Sequence, residues 1–229
     1  MSRAQTLSQL RQASQPQLTI GTLTTEDQPS AVKTLVAGQI PLLHIDIMDG
    51  IIWPKSTVGP DFVAQLQTDL IKDVHLLVDK PQDHIAAHAQ AGAGAISFSV
   101  EYTDDIAACL TLIEEGGEHI LRGVSLNPGT SLATIQPHLD QIDIVIILAI
   151  GPDTGKETFF ETLPDKVATL RRWKPELLIT IDGAIKKDNV GAVSKMGSDF
   201  IATGSAVFDG VDPAGNITEM KASIAAAQN

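Results

Sequence analysis

The sequence predicts a single (β/α)8 barrel, and three observations carry that expectation. Eight short runs rich in Val, Ile and Leu recur along the 229 residues, longer stretches with apolar residues at helical spacing separate most of them, and no Pro- or Ser-rich linker divides the chain. The composition, 43% hydrophobic and 19% charged, is that of a globular chain. With only 4% aromatic residues, Leu, Ile, Val and Ala must fill the interior.

In chain order, residues 1–17 read as a polar accessory segment, and residues 18–229 as the barrel and catalytic domain. The first strand is expected at 18–23 and the second at 42–47, with no helix marked between them. A helix at 61–68 leads to the third strand at 74–78, and a helix at 83–91 to the fourth at 95–100. A helix at 104–115 precedes the fifth strand at 123–126, and a helix at 131–139 precedes the long apolar run 142–150. The helix at 158–173 joins that sixth strand to the seventh at 177–181. The helix at 188–196 leads to the eighth at 200–203, and a last helix covers 213–227. Capping-type residues open several of these helices.

Charge and cysteine content narrow the function. Sixteen Lys and Arg against 28 Asp and Glu leave a net charge of −12, so neither nucleic acid nor an anionic membrane is an expected partner. One cysteine, Cys109, precludes an intrachain disulfide and a Cys-based zinc site. The start of the chain has no apolar core of secretory length, and the run 142–150 is interrupted by Asp143 and too short to span a bilayer. The expected location is the cytoplasm.

The chemistry lies at the ends of three strands. His44 and Asp46 stand two residues apart, so both project from one face of the second strand. His75 stands among apolar residues of the third strand, and Asp182 ends the seventh. Taken singly, His75 reads as a hydrogen-bonded core histidine and Asp182 as a turn former before Gly183. Their convergence at one barrel mouth changes the reading, because buried carboxylates are costly unless paired or metal-bound. His44, Asp46, His75 and Asp182 are therefore the expected ligands of a divalent metal. Asp49, in an Asp-Gly turn, is structural, and His84, His88, His119 and His138 read as surface residues.

An anion site is expected where barrel loops usually provide one. Asp182-Gly183-Ala184 follows the seventh strand and Thr203-Gly204-Ser205-Ala206 the eighth, so their backbone N–H groups can receive a phosphate. The loop Gly151-Pro152-Asp153-Thr154-Gly155-Lys156 after the sixth strand can close over the same group.

These residues resemble the ribulose-phosphate 3-epimerase family, chiefly through His44-Ile45-Asp46-Ile47-Met48-Asp49-Gly50, Trp53-Pro54 and Gly59-Pro60. The likeness continues through Val74 to Val78 with Pro81, Ala91-Gly92-Ala93, Ser97-Phe98 with Glu101, Gly123 to Thr130, Ile181 to Ile185 and Gly197 to Phe208. The resemblance implies interconversion of D-ribulose 5-phosphate and D-xylulose 5-phosphate, as in the pentose phosphate pathway. It implies His44, Asp46, His75 and Asp182 as ligands of one divalent metal, zinc first, with iron, manganese or cobalt as alternatives, and no organic cofactor. Asp46 and Asp182 would be the acid/base pair that moves the C3 proton through a metal-stabilised enediolate. His75 and the residues Asp153, Thr154, Gly155, Lys156, Gly183, Ala184, Gly204 and Ser205 would contact substrate or hold its phosphate. A homo-oligomer, dimer or hexamer, is implied as well.

Departures from the family pattern cluster around the substrate. Gly21 replaces a Ser, Lys55 an Asn, Ser99 a His, and Leu77 and Leu148 two Met residues. The Asn-Pro-Gly-Phe-Gly-Gly-Gln loop reads Gly151 to Glu157, and the Asp-Gly-Gly turn reads Asp182-Gly183-Ala184. Asp153 brings a negative charge toward a phosphate, which Lys156 can offset. A 3-epimerase of a six-carbon ketose 6-phosphate such as D-allulose 6-phosphate, and a noncatalytic sugar-phosphate-binding barrel, are the alternatives. A decarboxylase or aldolase would need Asp-x-Lys-x-x-Asp on the third strand, and Asp79-Lys80-Pro81-Gln82-Asp83 lacks that spacing.

Overall fold

The alternation of short apolar strands and amphipathic segments closes into a ring. The computed structural model describes residues 1–154 and 157–228. Strands β1 (Gln17–Gly21), β2 (Leu42–Met48), β3 (Ile71–Leu77), β4 (Ala95–Ser99), β5 (Leu121–Leu126), β6 (Ile144–Leu148), β7 (Leu178–Asp182) and β8 (Phe200–Thr203) pair in sequence order, all parallel, and β8 pairs back onto β1. The chain is a single (β/α)8 barrel.

Helices α1 (Arg3–Leu10), α2 (Gln28–Ala37), α3 (Pro60–Gln65), α4 (Gln82–Gln90), α5 (Ile106–Gly116), α6 (Leu163–Trp173), α7 (Val190–Val193) and α8 (Pro213–Ala227) accompany the strands. Several features differ from expectation, among them a strand start at Ile71 and the shortening of the helix expected at 188–196 to Val190–Val193 plus a 3₁₀ turn. Helix α2 fills a stretch with no expected helix; Asp27 caps it by accepting from the Ser30 amide, Pro29 sits in its first turn, and Ala31, Val32 and Leu35 are buried. The helix expected at 131–139 is instead two 3₁₀ stretches, Leu132–Thr134 and Gln136–Gln141. Pro137 would fall inside an α-helix starting at Leu132, where its ring would meet the Ala133 carbonyl, so the segment tightens instead. His88, expected at the surface, is buried in α4, where its Nδ1 lies 2.9 Å from the His84 carbonyl oxygen.

Alternation along each strand sorts the core into two regions. Outward-facing Leu43, Ile45, Ile47, Val74, Leu76, Ile96, Val124, Val145 and Ile179 pack against the helices. Inward-facing Leu42, Ala95, Leu121, Ile144, Leu178 and Phe200 fill the N-terminal end of the barrel. Helix α1 closes that end. Ser2 caps it in a box with Gln5, and its last residue, Leu10, is 3% exposed and packs into the same apolar layer. Arg3 ties the helix down by donating to the Ile120 carbonyl and pairing with Glu114 and Asp143. Toward the C-terminal end the interior becomes mixed, with His44, His75, Ser97, Ser99, Ser125 and Thr180 all buried beside apolar Leu77, Ile146 and Leu148. No helix among the described residues is long and apolar enough to cross a membrane.

Candidate active site

Parallel register places the four expected ligand residues together at the C-terminal mouth. His44 and Asp46 project from β2, His75 from β3 in register with Asp46, and Asp182 ends β7. One donor atom from each lies within 4.8 Å of all the others. The His44 Nε2 is 3.1 Å from Asp46 Oδ1 and 3.7 Å from Asp182 Oδ2, and the His75 Nδ1 is 3.0 and 3.6 Å from the same two oxygens. Tetrahedral ligands about 2.0–2.1 Å from a cation lie roughly 3.3 Å apart, so these separations of 3.0–3.7 Å bracket what a first-row divalent ion needs. The donor set, two imidazoles and two carboxylates on inward-facing strand positions, suits such an ion.

A fifth residue organises this set, and sequence reading did not single it out. Asp73 is fully buried, and its Oδ2 lies 2.8 Å from His44 Nδ1. A carboxylate there holds the Nδ1 proton and leaves Nε2 as the ring nitrogen turned to Asp46 and Asp182. The third strand, expected from residue 74, begins at Ile71, which brings Asp73 into the ladder directly opposite His44. The available signal was the same-face spacing of Asp73 and His75.

The protein's own charges oppose one another here. Burial disfavours a charged His44, yet the Asp46 charge and hydrogen bonds with Asp182, Asp46 and Asp73 outweigh it and raise the imidazole well above its usual pKa. For Asp46, burial favours the neutral acid, but the His44 charge and bonds with both imidazoles pull its pKa far below the usual carboxylate range.

Beside the ligand cluster opens a cleft lined by His44, Asp46, Asp182 and the two expected anion loops, Gly183-Ala184 and Gly204-Ser205. Lys55 and Lys186 also line it. Apolar Leu77, Ile146 and Leu148, with Met48 and Trp53, pack at the same end of the barrel. Gly183, at φ +102°, turns the chain out of β7, and a side chain there would meet Ile150 at 2.8 Å. Ala184 follows at φ +57°, in the left-handed region.

The described part of the loop after β6 adds no residue to this lining. Asp153 and Thr154 do not line this cleft. The Thr154 hydroxyl folds back, accepting from the Gly151 amide and donating to the Gly151 carbonyl, both at 2.9 Å. Burial, with the charges of Glu101 and Asp153, holds the Tyr102 phenol above its usual pKa. Gly155 and Lys156 lie outside the described residues. Asp49 is structural as expected, its carboxylate accepting from the amides of Ile51 and Asp79 at 2.8 Å each.

The ribulose-phosphate 3 epimerase family model matches residues 19–208. Ribulose-phosphate 3-epimerase of Bacillus subtilis is 33% identical over 199 residues, covering 84% of this chain and 91% of that protein. The enzyme of the same name from Escherichia coli K12 is 33% identical over 201 residues, covering 84% and 88%. Among solved structures, KGPDC from Streptococcus mutans superposes with a TM-score of 0.69 at 17% identity, over 94% of this chain and 100% of that one. At that identity the likeness shows the fold alone.

Proposed function

From the premise that the chain belongs to the ribulose-phosphate 3-epimerase family, we propose that it inverts C3 of D-ribulose 5-phosphate to give D-xylulose 5-phosphate, with Asp46 and Asp182 as the acid/base pair. The observation that carries this reading is the convergence of Asp46 and Asp182 on the same two imidazoles, at the mouth of a cleft that also contains two glycine-bearing loops. Inversion next to a ketone requires a proton to leave one face and another to arrive on the opposite face, so two carboxylates on different strands are the minimum apparatus. One carboxylate takes the C3 proton as the carbon becomes planar, and the other donates to the far face; the roles exchange in the reverse direction. Both therefore need access to the reacting carbon, and Asp46 and Asp182 are the ligand residues that retain exposure, with 31% and 16% of their side chains accessible.

His44, Asp46, His75 and Asp182 would hold one divalent ion, zinc being the first candidate. When bound, such an ion supplies Lewis-acid polarisation of the carbonyl. His75, fully buried, keeps its Nδ1 toward the carboxylates, and Asp73 keeps the His44 ring oriented. The apolar wall of Leu77, Leu148 and Trp53 limits water beside the reacting carbon.

The test is proton NMR of D-ribulose 5-phosphate in deuterated water with metal-reconstituted protein. Loss of the C3 proton signal together with growth of xylulose 5-phosphate is expected, and Asp182→Asn should reduce both by at least ~10³-fold. Absence of both changes in protein that demonstrably binds metal would overturn the reading.

A further inference from the structure

The cleft has two cationic side chains on its wall among the described residues, Lys55 from the loop after β2 and Lys186 from the loop after β7. Their surroundings differ. Lys186 follows the Gly183-Ala184 turn, and its Nζ donates to the Ser205 hydroxyl at 2.6 Å, bridging the loops after β7 and β8. Asn189 clips that turn from beneath: its Oδ1 accepts from the Lys186 amide at 2.8 Å and its Nδ2 donates to the Ala184 carbonyl at 3.0 Å. The Thr203 hydroxyl adds a bond to the Ile185 carbonyl. The ammonium is thus carried on a braced loop, although the side chain itself is exposed.

Unspent donors gather at the same place. The backbone N–H groups of Gly183, Ala184, Gly204 and Ser205 donate to no other group among the described residues. Four free amides and one ammonium lining one wall form a receptor for a compact anion with several acceptor oxygens, which is the chemistry of a phosphate monoester. The overall charge of −12 makes a local cation more consequential, because the field of the whole molecule repels a dianion. Lys55 lines the cleft from the loop after β2 and makes no side-chain hydrogen bond to the β7 or β8 loops among the described residues.

We propose that Lys186 is the charged anchor for the substrate's phosphate, held over the amides of the β7 and β8 loops by Ser205. The assignment rests on the epimerase reading for the identity of the substrate, but not for the existence of the anion site. It makes Lys186 a specificity-determining residue: it favours phosphorylated over unphosphorylated ketoses and takes no part in moving the C3 proton.

The test compares wild type, Lys186→Met, Lys186→Arg and Lys55→Gln by two readouts: the KM and kcat for D-ribulose 5-phosphate, and the Kd for inorganic phosphate by calorimetry. Losing one charge-assisted contact should raise KM and the phosphate Kd of Lys186→Met roughly 10- to 100-fold with kcat changed less than about threefold. Lys186→Arg should recover part of that loss, and Lys55→Gln should raise KM and the phosphate Kd by a smaller factor than Lys186→Met. Because Lys186 is exposed, the melting temperature should be unchanged. A Lys186→Met protein whose KM and phosphate Kd stay within twofold of wild type, or a Lys55→Gln protein that takes the whole loss, overturns the assignment. A wild-type protein that binds phosphate through Lys186 yet leaves the C3 proton in place would refute the epimerase reading and keep the anchor.

Discussion

Replacing Asp73 with Asn isolates the carboxylate behind His44 while keeping its volume, so the change creates no cavity. In the native protein the fully buried Asp73 Oδ2 is 2.8 Å from His44 Nδ1, the length of a charge-assisted bond. Asn can still accept from the ring N–H, but as a neutral group it holds the tautomer less firmly and makes the opposite nitrogen a weaker donor to a cation. Its amide also replaces Asp73 Oδ1, a buried atom with no hydrogen-bond partner, so the new N–H groups find no acceptor there. Loss of such an outer carboxylate costs roughly 10–100-fold in metal affinity, or about 1.4–2.7 kcal/mol. The retained neutral bond places the expectation near tenfold. The assay is chelator competition for Zn²⁺ or Mn²⁺, paired with nitrogen-15 NMR of the His44 ring to read its tautomer. A folded Asp73→Asn protein with wild-type metal Kd and an unchanged His44 tautomer would refute the argument that Asp73 orients the ligand.

Further outcomes follow from the geometry. Because His44 in the metal-free protein has a raised pKa, an entering cation must displace its proton, so metal affinity should rise about tenfold per pH unit below that pKa, with about one proton released, read by calorimetry in buffers of different ionisation enthalpy. The same pair sets metal-free stability: the raised His44 contributes fully below about pH 6.5 and loses its contribution as pH rises through its folded pKa, while the lowered Asp46 contributes above about pH 3.9 and loses it as pH falls through its own. The metal-free melting temperature should therefore be higher at pH 5.5 than at pH 9. Leu10→Ala should destabilise the protein by about 2–3 kcal/mol in urea unfolding, since Leu10 packs into the apolar layer that closes the barrel floor. Gly123→Ala should cost roughly 1–3 kcal/mol, because its Cβ would lie 2.0 Å from Ser97 Oγ and 2.9 Å from Ile144 Cγ2; Ser97→Gly in the same protein should restore part of it.

The barrel and the four residues of the candidate ligand set were legible in the sequence for a local reason. A strand's period of two is intrinsic to the backbone, so His44-x-Asp46 had to share a face, and apolar residues alternating with inward positions declared the strands wherever they sat. Asp182 could be placed because a carboxylate ending an apolar strand has few inexpensive environments. Helix α2 is not evident from periodicity alone, despite its Asp27 cap and Pro29, and Pro137 marks a break at 131–139 to which a purely periodic reading is blind.

What the sequence determined by itself was the inventory: eight strands, the face each side chain takes along its own strand, and a cluster of titratable groups at one barrel end. Only the tertiary structure decided which residues meet across strands and loops. Asp73 reaches His44 because the β2–β3 register sets those residues opposite one another, and Lys186 reaches Ser205 because closure brings the loops after β7 and β8 side by side. The turn of Thr154 onto Gly151, away from the cleft, is a decision of the same kind. Periodicity is a property of a few neighbouring residues, whereas register and closure are settled by the packing of the whole ring, which no local stretch of the chain encodes.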